Sequence, residues 1–320
     1  MKFTDLRLPQ SIQQTITRIG YTQPTPIQEE AIPFILQGKD VIGVARTGTG
    51  KSAAFILPIL ANLESSTRKP KPNHPSVLVL APTRELAVQL ADSFKAYGAK
   101  TKSRVIAIFG GVSQKRQVRA LKDGVDVVVA TPGRLLDLMR QKQIKFDDVN
   151  TFVLDEADRM LDMGFSVQLE RIFKYMPEKR QTLMFSATLP KNILKLSEKY
   201  LNNPKRISVG ETNVVATNIK QDVIRIEQDK KYDELLLQLH DRSGSVIVFI
   251  KTKHGADRMA KNLRRDGFTS EALHGDLRQS KRDKVMQNFR TKNFRVLIAT
   301  DIAARGLDVP HIEHVVNYDL

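Results

Sequence analysis

The sequence contains no cysteine and no tryptophan, and aromatic residues occupy only 6% of its 320 positions. The lack of cysteine excludes disulfide bonds, thiol catalysis and cysteine-ligated zinc or iron–sulfur centres. The longest apolar stretch, residues 53–61, is interrupted by Pro58 and is far shorter than the roughly 20 residues of a membrane helix. The first ten residues lack the apolar core of a signal peptide. We therefore expect a cytoplasmic protein that does not associate with membranes.

Acidic residues are under-represented, because 51 Lys and Arg face 35 Asp and Glu for a net charge of +16. The excess is concentrated in residues 1–210, which hold 32 basic and 19 acidic side chains, whereas residues 211–320 hold 19 and 16. A chain this basic is typical of proteins that bind a polyanion, most often nucleic acid. Its 41% hydrophobic content supports ordinary globular cores, and its length predicts about two domains.

Short apolar runs rich in β-branched residues alternate with stretches of helical period, such as 84–97 and 253–265. This alternation predicts parallel sheets that are covered by helices on both faces. The predicted strands are 41–45, 77–81, 105–109, 125–130, 152–154, 182–185, 223–226, 246–250, 296–299 and 314–317.

The alternation stops at the polar stretch 202–218, which contains Pro204 and Gly210 and therefore favours a linker. We predict a first α/β lobe over 1–205, a linker over 206–218 and a second lobe over 219–320. The second lobe is short and ends on an apparent strand at Leu320 without a closing helix. We therefore expect this lobe to be C-terminally incomplete.

A phosphate-binding loop is predicted at residues 45–52, ARTGTGKS, between the strand VIGVA and the start of a helix. In such a loop the backbone N–H groups surround phosphates, Lys51 reaches the terminal phosphates and the Ser52 hydroxyl is a ligand of Mg²⁺. Ala45 replaces the first glycine of the strict pattern. The alternative is a chance glycine-rich turn, which the flanking strand and helix disfavour.

Carboxylates follow the predicted strand that ends at Leu154, in the sequence Asp155-Glu156-Ala157-Asp158. Asp155 is suited to hold Mg²⁺ through water, and Glu156 to orient or deprotonate an attacking water. Alone, the cluster is equally consistent with the acidic first turn of a solvated helix. The phosphate-binding loop upstream favours the catalytic interpretation.

Polar, glycine-rich or proline-rich clusters follow nearly every predicted strand, and the carboxyl ends of parallel strands line a ligand crevice. Each cluster alone is ordinary turn chemistry. They are 82–85 (PTRE), 110–111 (GG), 131–134 (TPGR), 186–188 (SAT), 251–252 (KT) and 300–301 (TD), in addition to the two described above.

Two further segments have ordinary structural explanations as well as functional ones. In 20–28 (GYTQPTPIQ), Gln28 could pair with the adenine edge and Tyr21 or Phe3 could stack on the base, but the residues alone favour a proline-rich turn before a helix. Residues 93–122 contain eight basic and no acidic side chains. This run is either a solvated face or, as the overall charge favours, a contact surface for a nucleic-acid backbone.

The chain resembles the DEAD-box RNA helicases, because ten motifs occur in the order of that family across residues 3–320. These motifs are GYTQPTPIQ, ARTGTGKS, PTRELA, GG, TPGR, DEAD, SAT, VIVFIKT, HGDLRQSKRDKVMQNFR and ATDIAARGLD. Phe3 stands at the position of an aromatic residue that the family places 17 residues before the GY pair. The short N-terminus and the segment DEADRMLDMGF resemble the bacterial RhlE-like branch.

The resemblance implies two RecA-like lobes, each a parallel sheet flanked by helices, with ATP and RNA bound in a cleft between them. It also implies closure of the cleft on both ligands, local separation of a short RNA duplex, and release on hydrolysis. The implied catalytic residues are Lys51, Asp155 and Glu156, with Mg²⁺ at Ser52 and Asp155. ATP contacts are implied for Phe3, Tyr21, Gln28, Thr47, Gly48, Thr49, Gly50, Lys51, Ser52 and Asp308.

Coupling between ATP and RNA is implied for Asp158, Ser186, Thr188 and Arg305. RNA-backbone contacts are implied for Pro82, Thr83, Arg84, Gly111, Thr131, Arg134, Thr252, Gln279, Arg282 and Thr300. The family also has an arginine-rich segment after a strand such as HVVNYD, and the chain ends before it. We therefore expect impaired ATP hydrolysis in residues 1–320. A non-catalytic RNA clamp or chaperone, and a DNA helicase on the same fold, remain the alternatives.

Overall fold

The computed structural model describes residues 1–67, 69–209, 220–300, 309 and 311–319. These residues form two compact units, one before and one after the stretch 210–219. The predicted positions Arg305 and Asp308 lie outside the described residues. No helix in the described part of the chain is long and apolar enough to span a membrane.

The first unit is built on a seven-stranded sheet in which every neighbouring pair of strands is parallel. The order of the strands across the sheet is β3-β4-β2-β5-β6-β1-β7. The strands are β1 (Val41–Val44), β2 (Val77–Leu80), β3 (Val105–Ile108), β4 (Val127–Ala130), β5 (Thr151–Leu154), β6 (Gln181–Ser186) and β7 (Lys205–Ser208).

Nine α-helices accompany the described part of this sheet, after a short 3₁₀ helix at Phe3–Leu6. The helices are α1 (Gln10–Arg18), α2 (Pro26–Leu36), α3 (Lys51–Ser65), α4 (Arg84–Tyr97), α5 (Gln114–Lys122), α6 (Pro132–Arg140), α7 (Ala157–Asp162), α8 (Ser166–Phe173) and α9 (Lys191–Tyr200).

The central strands of this sheet are buried on both faces, as their uninterrupted apolar sequences predict. One hydrophobic cluster includes Phe55 and Phe94 on α3 and α4, and a second includes Phe152 and Met184 of the sheet together with residues of α6 and α8. With a core on each face, the sheet is rigid and holds the loops at its strand ends in fixed positions.

The predicted linker 206–218 is wrong in its first three residues, because β7 occupies Lys205–Ser208 and pairs with β1. The sequence KRIS does not predict a strand, because three of its four residues are polar. In the structure those three, Lys205, Arg206 and Ser208, are exposed. Exposed charged residues are typical of an edge strand, where they discourage pairing with other chains. Of the rest of the predicted linker, Val209 directly follows β7, and 210–218 lie outside the described residues.

The second unit is a four-stranded parallel sheet with the order β11-β8-β10-β9. Its described strands are β8 (Ser245–Phe249), β9 (Ser270–Leu273), β10 (Val296–Ala299) and β11 (Ile312–Asn317). Its described helices are α10 (Lys231–Asp241), α11 (Lys253–Arg265) and α12 (Gln279–Arg290). Apolar residues of α10, α11 and the sheet form one cluster, and residues of α12 form another around Phe289.

One predicted strand of this unit is wrong, and one observed strand was not predicted. Residues 223–226 are not a strand, and Val223 and Ile224 are exposed, because no described strand pairs with them. Conversely, the sequence SEAL at Ser270–Leu273 is a strand that the sequence did not predict. Its residues are poor strand formers, but pairing with β10 stabilises them, which shows how strongly β structure depends on neighbours.

Candidate nucleotide and RNA site

The strand order of the first sheet separates the predicted site residues into two groups. Strands β5, β6 and β1 are neighbours, and their carboxyl ends lead into Asp155, Ser186 and the loop 45–50. Strands β3, β4 and β2 form the other half and lead into Gly110, Thr131 and Pro82. The predicted nucleotide residues and the predicted RNA residues of this unit therefore lie side by side along one edge of the sheet.

The loop 45–50 has the backbone of a phosphate-binding loop. Gly48 and Gly50 adopt φ values of +84° and +88°, which strongly favour glycine. A Cβ at Gly50 would overlap the Gln28 side chain, whereas the space at Gly48 is open. Gly50 caps helix α3, whose N-terminal N–H groups favour a bound anion. These features fit the phosphates of a nucleotide.

Lys51, the first residue of α3, is buried, and its Nζ donates a hydrogen bond to the carbonyl oxygen of Ala45. Burial lowers the pKa of the Lys51 ammonium, while the carboxylates of Asp155, Glu156 and Asp158 act in the opposite direction. The ammonium therefore lies within the field of the acidic cluster, as a lysine that bridges phosphates and a metal site requires.

The Gln28 side chain joins the segment 20–28 to the phosphate-binding loop. It is buried, its Oε1 accepts from the backbone N–H of Thr25 at 3.0 Å, and its Nε2 donates to the carbonyl of Gly50 at 3.1 Å. The proline-rich turn and the predicted nucleotide contact are thus compatible, since the turn fixes Gln28 against the loop. Pairing of Gln28 with adenine stays a prediction.

Phe3 and Tyr21 lie together, with ring centroids 6.2 Å apart in a stacked arrangement. Phe3 is buried, and the Tyr21 hydroxyl hydrogen-bonds to that of Tyr97 at 2.9 Å. The buried Phe3 ring therefore packs against Tyr21 and helps to hold its ring in position. The stacking of either ring on a base stays a prediction.

Asp155 and Glu156 occupy the sharp turn between β5 and α7. The Asp155 carboxylate is buried and accepts from the backbone N–H of Glu156 at 3.0 Å. Burial, reinforced by the Glu156 charge, raises the pKa of Asp155 to about 7, against the opposing effect of Lys51. Glu156 has the left-handed conformation, φ 51°, which is uncommon for this residue type and is often found at functional sites.

Arg159 fixes the orientation of the Glu156 carboxylate. Its NH1 forms an ion pair with Oε2 of Glu156 at 2.7 Å, and both side chains are more than four-fifths buried. The two residues are three apart, which brings them together at the first turn of α7. The sequence analysis missed Arg159, although this spacing from a candidate catalytic carboxylate would have indicated it.

Asp158 connects α7 to the loop that follows β6. Its Oδ2 accepts from the backbone N–H of Thr188 at 3.0 Å and from the Thr188 hydroxyl at 2.9 Å. Its backbone N–H points at the Ser186 hydroxyl at 3.4 Å. The structure thus brings together three of the four residues predicted to couple nucleotide and RNA, and the fourth, Arg305, lies outside the described residues.

On the other half of the sheet, Arg84 and Arg134 surround the loop after β3. Arg84 packs against Gly111, where φ is +79° and any Cβ would collide with its guanidinium. Arg134 donates to the carbonyl of Val112 at 3.2 and 3.3 Å, and Gln117, another residue that the sequence analysis missed, donates to the carbonyl of Phe109 at 3.0 Å. Two guanidinium groups and an exposed glycine backbone suit a phosphate chain.

Pro82, Thr83 and Thr131 are buried beside this loop. The Thr83 hydroxyl accepts from the backbone N–H of Leu86 at 3.3 Å and so caps α4, and Thr131 directly precedes α6. These residues therefore shape the loops that present Arg84 and Arg134. Their direct contact with RNA stays a prediction.

In the second unit the predicted RNA residues follow the carboxyl ends of three strands of the same sheet. Thr252 follows β8 and caps α11 by accepting from Gly255 N–H at 3.0 Å, and Thr300 directly follows β10. Gln279 and Arg282 lie at the start of α12, after β9. Gln279 is buried and donates to Asp283 at 2.8 Å, so its amide already has a partner.

Profiles of two families match the sequence. The DEAD/DEAH box helicase profile matches residues 25–196, and the helicase conserved C-terminal domain matches residues 227–320. The chain therefore belongs to the DEAD-box helicase family, as the ordered motifs predicted.

Curated relatives match along the whole chain. DEAD-box ATP-dependent RNA helicase 20 of Arabidopsis thaliana is 42% identical over 99% of the chain and 64% of its own length. DEAD-box ATP-dependent RNA helicase CshA of Streptococcus pneumoniae is 41% identical over 100% of the chain and 60% of its own length. The chain thus spans less than two thirds of these relatives.

Solved structures confirm the fold as two parallel sheets flanked by helices, of which the second is smaller. S. cerevisiae Dbp5 bound to RNA and ADP BeF3 is 34% identical, with a TM-score of 0.87 over 100% of this chain and 81% of that one. A DEAD box protein from Methanococcus jannaschii is 36% identical, with a TM-score of 0.61 over 100% and 85%.

Proposed function

We propose that the protein is an ATP-dependent RNA helicase that separates short RNA duplexes while hydrolysing ATP. The observation that carries this proposal is the adjacency of Lys51, Asp155 and the Asp158–Thr188 link at the ends of three neighbouring strands. ATP-dependent RNA helicase names among the relatives support it, as does the structural neighbour bound to RNA and ADP BeF3.

In this proposal the loop 45–50 and the N-terminus of α3 bind the phosphates of ATP, and Lys51 moves from the Ala45 carbonyl to the terminal phosphates. Ser52 and Asp155 supply the hydroxyl and carboxylate oxygens that Mg²⁺ prefers. When bound, Mg²⁺ neutralises charge that develops on the phosphates during transfer. Glu156, oriented by Arg159, positions the attacking water and takes its proton.

We assign RNA binding to groups of both units that would contact the RNA backbone. In the first unit these are Arg84, Gly111 and Arg134. Thr252, Arg282 and Thr300 contribute in the second. The Asp158 bonds to Thr188 then relate the nucleotide state at α7 to the loop after β6. We also propose that Arg305 couples ATP to RNA and that Asp308 contacts ATP, as the family resemblance implies. The binding of both ligands between the lobes is proposed on the same ground.

The test is steady-state ATP hydrolysis with and without single-stranded RNA, paired with separation of a labelled duplex of about one helical turn. In a protein that includes the family's arginine-rich segment, we expect RNA to stimulate turnover and ATP to drive separation. RNA binding without turnover would support the alternative, a non-catalytic RNA clamp or chaperone. Stronger stimulation by DNA than by RNA of the same sequence would instead support a DNA-directed enzyme, whereas a requirement for the RNA 2′-hydroxyls supports an RNA-directed one.

Two finer assignments are also proposals. The segment DEADRMLDMGF supports the bacterial RhlE-like branch, whereas the relatives reported above carry other names. A cytoplasmic location is supported by the absence of cysteine and by the RNA-directed function.

A further inference from the structure

Helix α5 presents an exposed basic face. Lys115, Arg119 and Lys122 are spaced four and three residues apart and therefore share one side of the helix, while Gln117 and Leu121 are buried on the other. Within the described part of the chain, none of the three basic side chains forms an ion pair. The sequence alone could not distinguish this arrangement from an ordinary solvated face.

This basic face lines a groove between α5 and the residues after α6, here called the α5 groove, with a volume of about 470 Å³. Gln114 and Gln141 meet across it, with Nε2 of Gln114 3.1 Å from Oε1 of Gln141. Its remaining lining residues are Lys115, Val118, Arg119, Lys122 and Gln143. Among the described residues, no carboxylate and no aromatic ring lines the groove, so these residues offer cationic and amide donors suited to phosphates and no stacking surface for bases.

The α5 groove begins next to the proposed RNA residues. Helix α5 starts three residues after Gly111, and Arg134 contacts the connecting segment at Val112. Because β3 and β4 are parallel neighbours, α5 must return from the carboxyl edge of the sheet to its amino edge. Strand β3 is the outer strand of the sheet. The groove therefore leads away from the strand-end loops along the outside of the first unit.

A second basic cavity lies near the far end of α5, where Arg104 contacts the residue that follows the helix. Arg104 donates to the carbonyl of Asp123, the residue after Lys122, at 3.0 Å, and also lines a cavity of about 750 Å³ together with Lys69 and Lys102. Both carboxylates in its lining already accept hydrogen bonds: Glu64 from Ser11 at 2.6 Å and Asp126 from the Arg104 backbone N–H at 2.8 Å.

We propose that the α5 groove and the adjoining cavity bind backbone phosphates of RNA that flanks the segment held by the strand-end loops. This inference rests on the proposed function and extends it to a second contact surface. A nine-residue helix is about 14 Å long, enough for roughly two to four nucleotides. The continuity with Gly111 and the absence of carboxylates from the groove favour RNA over an acidic protein as its occupant.

The experiment compares RNA binding by fluorescence anisotropy for oligouridylates of 6 and 20 nucleotides at several KCl concentrations. The test variant combines K115Q, R119Q and K122Q. A matched control combines R171Q, K174Q and K179Q, three exposed basic residues on and after α8. Both variants lose three positive charges, and melting curves verify that both are folded.

For the test variant we expect a loss of about 10-fold or more in affinity for the 20-mer. The slope of log affinity against log salt concentration should become shallower by about 1–2, since each phosphate contact on a single strand contributes roughly 0.7 to that slope. The 6-mer should bind as in the unmodified protein, and the control variant should retain the affinity for both.

Other outcomes would overturn the inference in distinguishable ways. If the unmodified protein binds neither RNA, the proposed function fails and the flanking surface with it. If the 6-mer binds normally but the test variant loses no more 20-mer affinity than the control, the α5 groove is a solvated face and only the further inference fails. An equal loss for both lengths would place α5 inside the primary site, which also contradicts a flanking surface.

Discussion

At the scale of single residues, Glu156 carries the most direct chemical assignment. Glu156→Gln keeps the size of the side chain and removes its charge and proton affinity. We expect the turnover number to fall by about 10²–10⁴, as loss of a general base does, while ATP and RNA binding are retained. Steady-state hydrolysis with separate fluorescence binding measurements checks this, with the exposed Glu178→Gln as control. Hydrolysis at the unmodified rate would remove Glu156 from the mechanism.

Gln28 is predicted to select adenine. The side chain already contacts Thr25 and Gly50, so it links base recognition to the shape of the phosphate-binding loop. Gln28→Ala should weaken ATP binding by about 1–3 kcal/mol and reduce the preference for ATP over GTP. Competition of both nucleotides against a fluorescent ATP analogue measures the two effects. Equal affinity of the unmodified protein for ATP and GTP would refute base selection by Gln28.

Asp155 should make stability depend on pH in the absence of Mg²⁺ and nucleotide. Its pKa is about 7 in the folded protein against an ordinary value of 3.8. Its stabilising contribution is therefore complete below about pH 4 and is lost as the pH rises through about 7. Asp155→Asn cannot ionise and therefore does not lose stability in this way. The difference in free energy of unfolding between Asp155→Asn and the unmodified protein should rise by about 1–3 kcal/mol from pH 5 to pH 8.

Urea denaturation at both pH values measures this difference, and Asp92→Asn is the control, because Asp92 is exposed and forms only a surface pair with Lys95. A stability difference that stays constant from pH 5 to pH 8 would contradict the raised pKa.

At the scale of elements, the loop after β3 depends on Gly111. Gly111→Ala combines a φ of +79° with a collision against Arg84, so the loop must rearrange. Because the loop is at the surface, we expect a stability loss of only about 1 kcal/mol together with a larger, several-fold loss of RNA affinity. Gly38→Ala is the control, since Gly38 has a similar φ of +75°, has open space around it and lies between α2 and β1, outside the strand-end loops. Equal RNA affinity of the two variants would exclude this loop from RNA binding.

The elements also show what local sequence specifies. Helices α4 and α11 have the predicted bounds, 84–97 and 253–265, because each begins with a threonine cap and has a strong apolar period. The apolar central strands were equally predictable. Strands β7 and β9 were not, since their polar residues are ordered by a neighbouring strand rather than by their own propensity.

The candidate site was only partly predictable from the sequence. The motifs placed Lys51, Asp155, Ser186 and Arg84 at strand ends, and a parallel sheet brings such ends to one edge. The strand order, which sets the nucleotide residues on β5-β6-β1 and the RNA residues on β3-β4-β2, depends on long-range pairing that the sequence does not state. The Arg159 ion pair, by contrast, was within reach of the sequence, because Arg159 stands three residues after Glu156 at the start of α7.

At the scale of the whole molecule, the charge of +16 predicts how RNA binding responds to salt. The groups assigned to RNA in the first unit are guanidiniums, a threonine-capped helix and exposed glycine backbone, which recognise phosphates and carry no direct sequence information. Affinity for a single strand should therefore fall steeply with KCl. Five or so phosphate contacts give a slope of log affinity against log salt of about −3 to −4.

The same reasoning predicts little dependence on base sequence. Oligouridylate and a mixed-sequence RNA of equal length should bind within about threefold of each other, because neither the loop at Gly111 nor the guanidiniums of Arg84 and Arg134 form a pocket that reads base edges. Anisotropy titrations of both RNAs from 50 to 300 mM KCl test the two expectations together. Competition with the unlabelled RNAs checks that the fluorescent dye does not contribute to the measured affinities. A slope near zero, or a strong preference for one sequence, would mean that base contacts rather than phosphate contacts dominate, and would contradict the assignment of the strand-end loops to the RNA backbone.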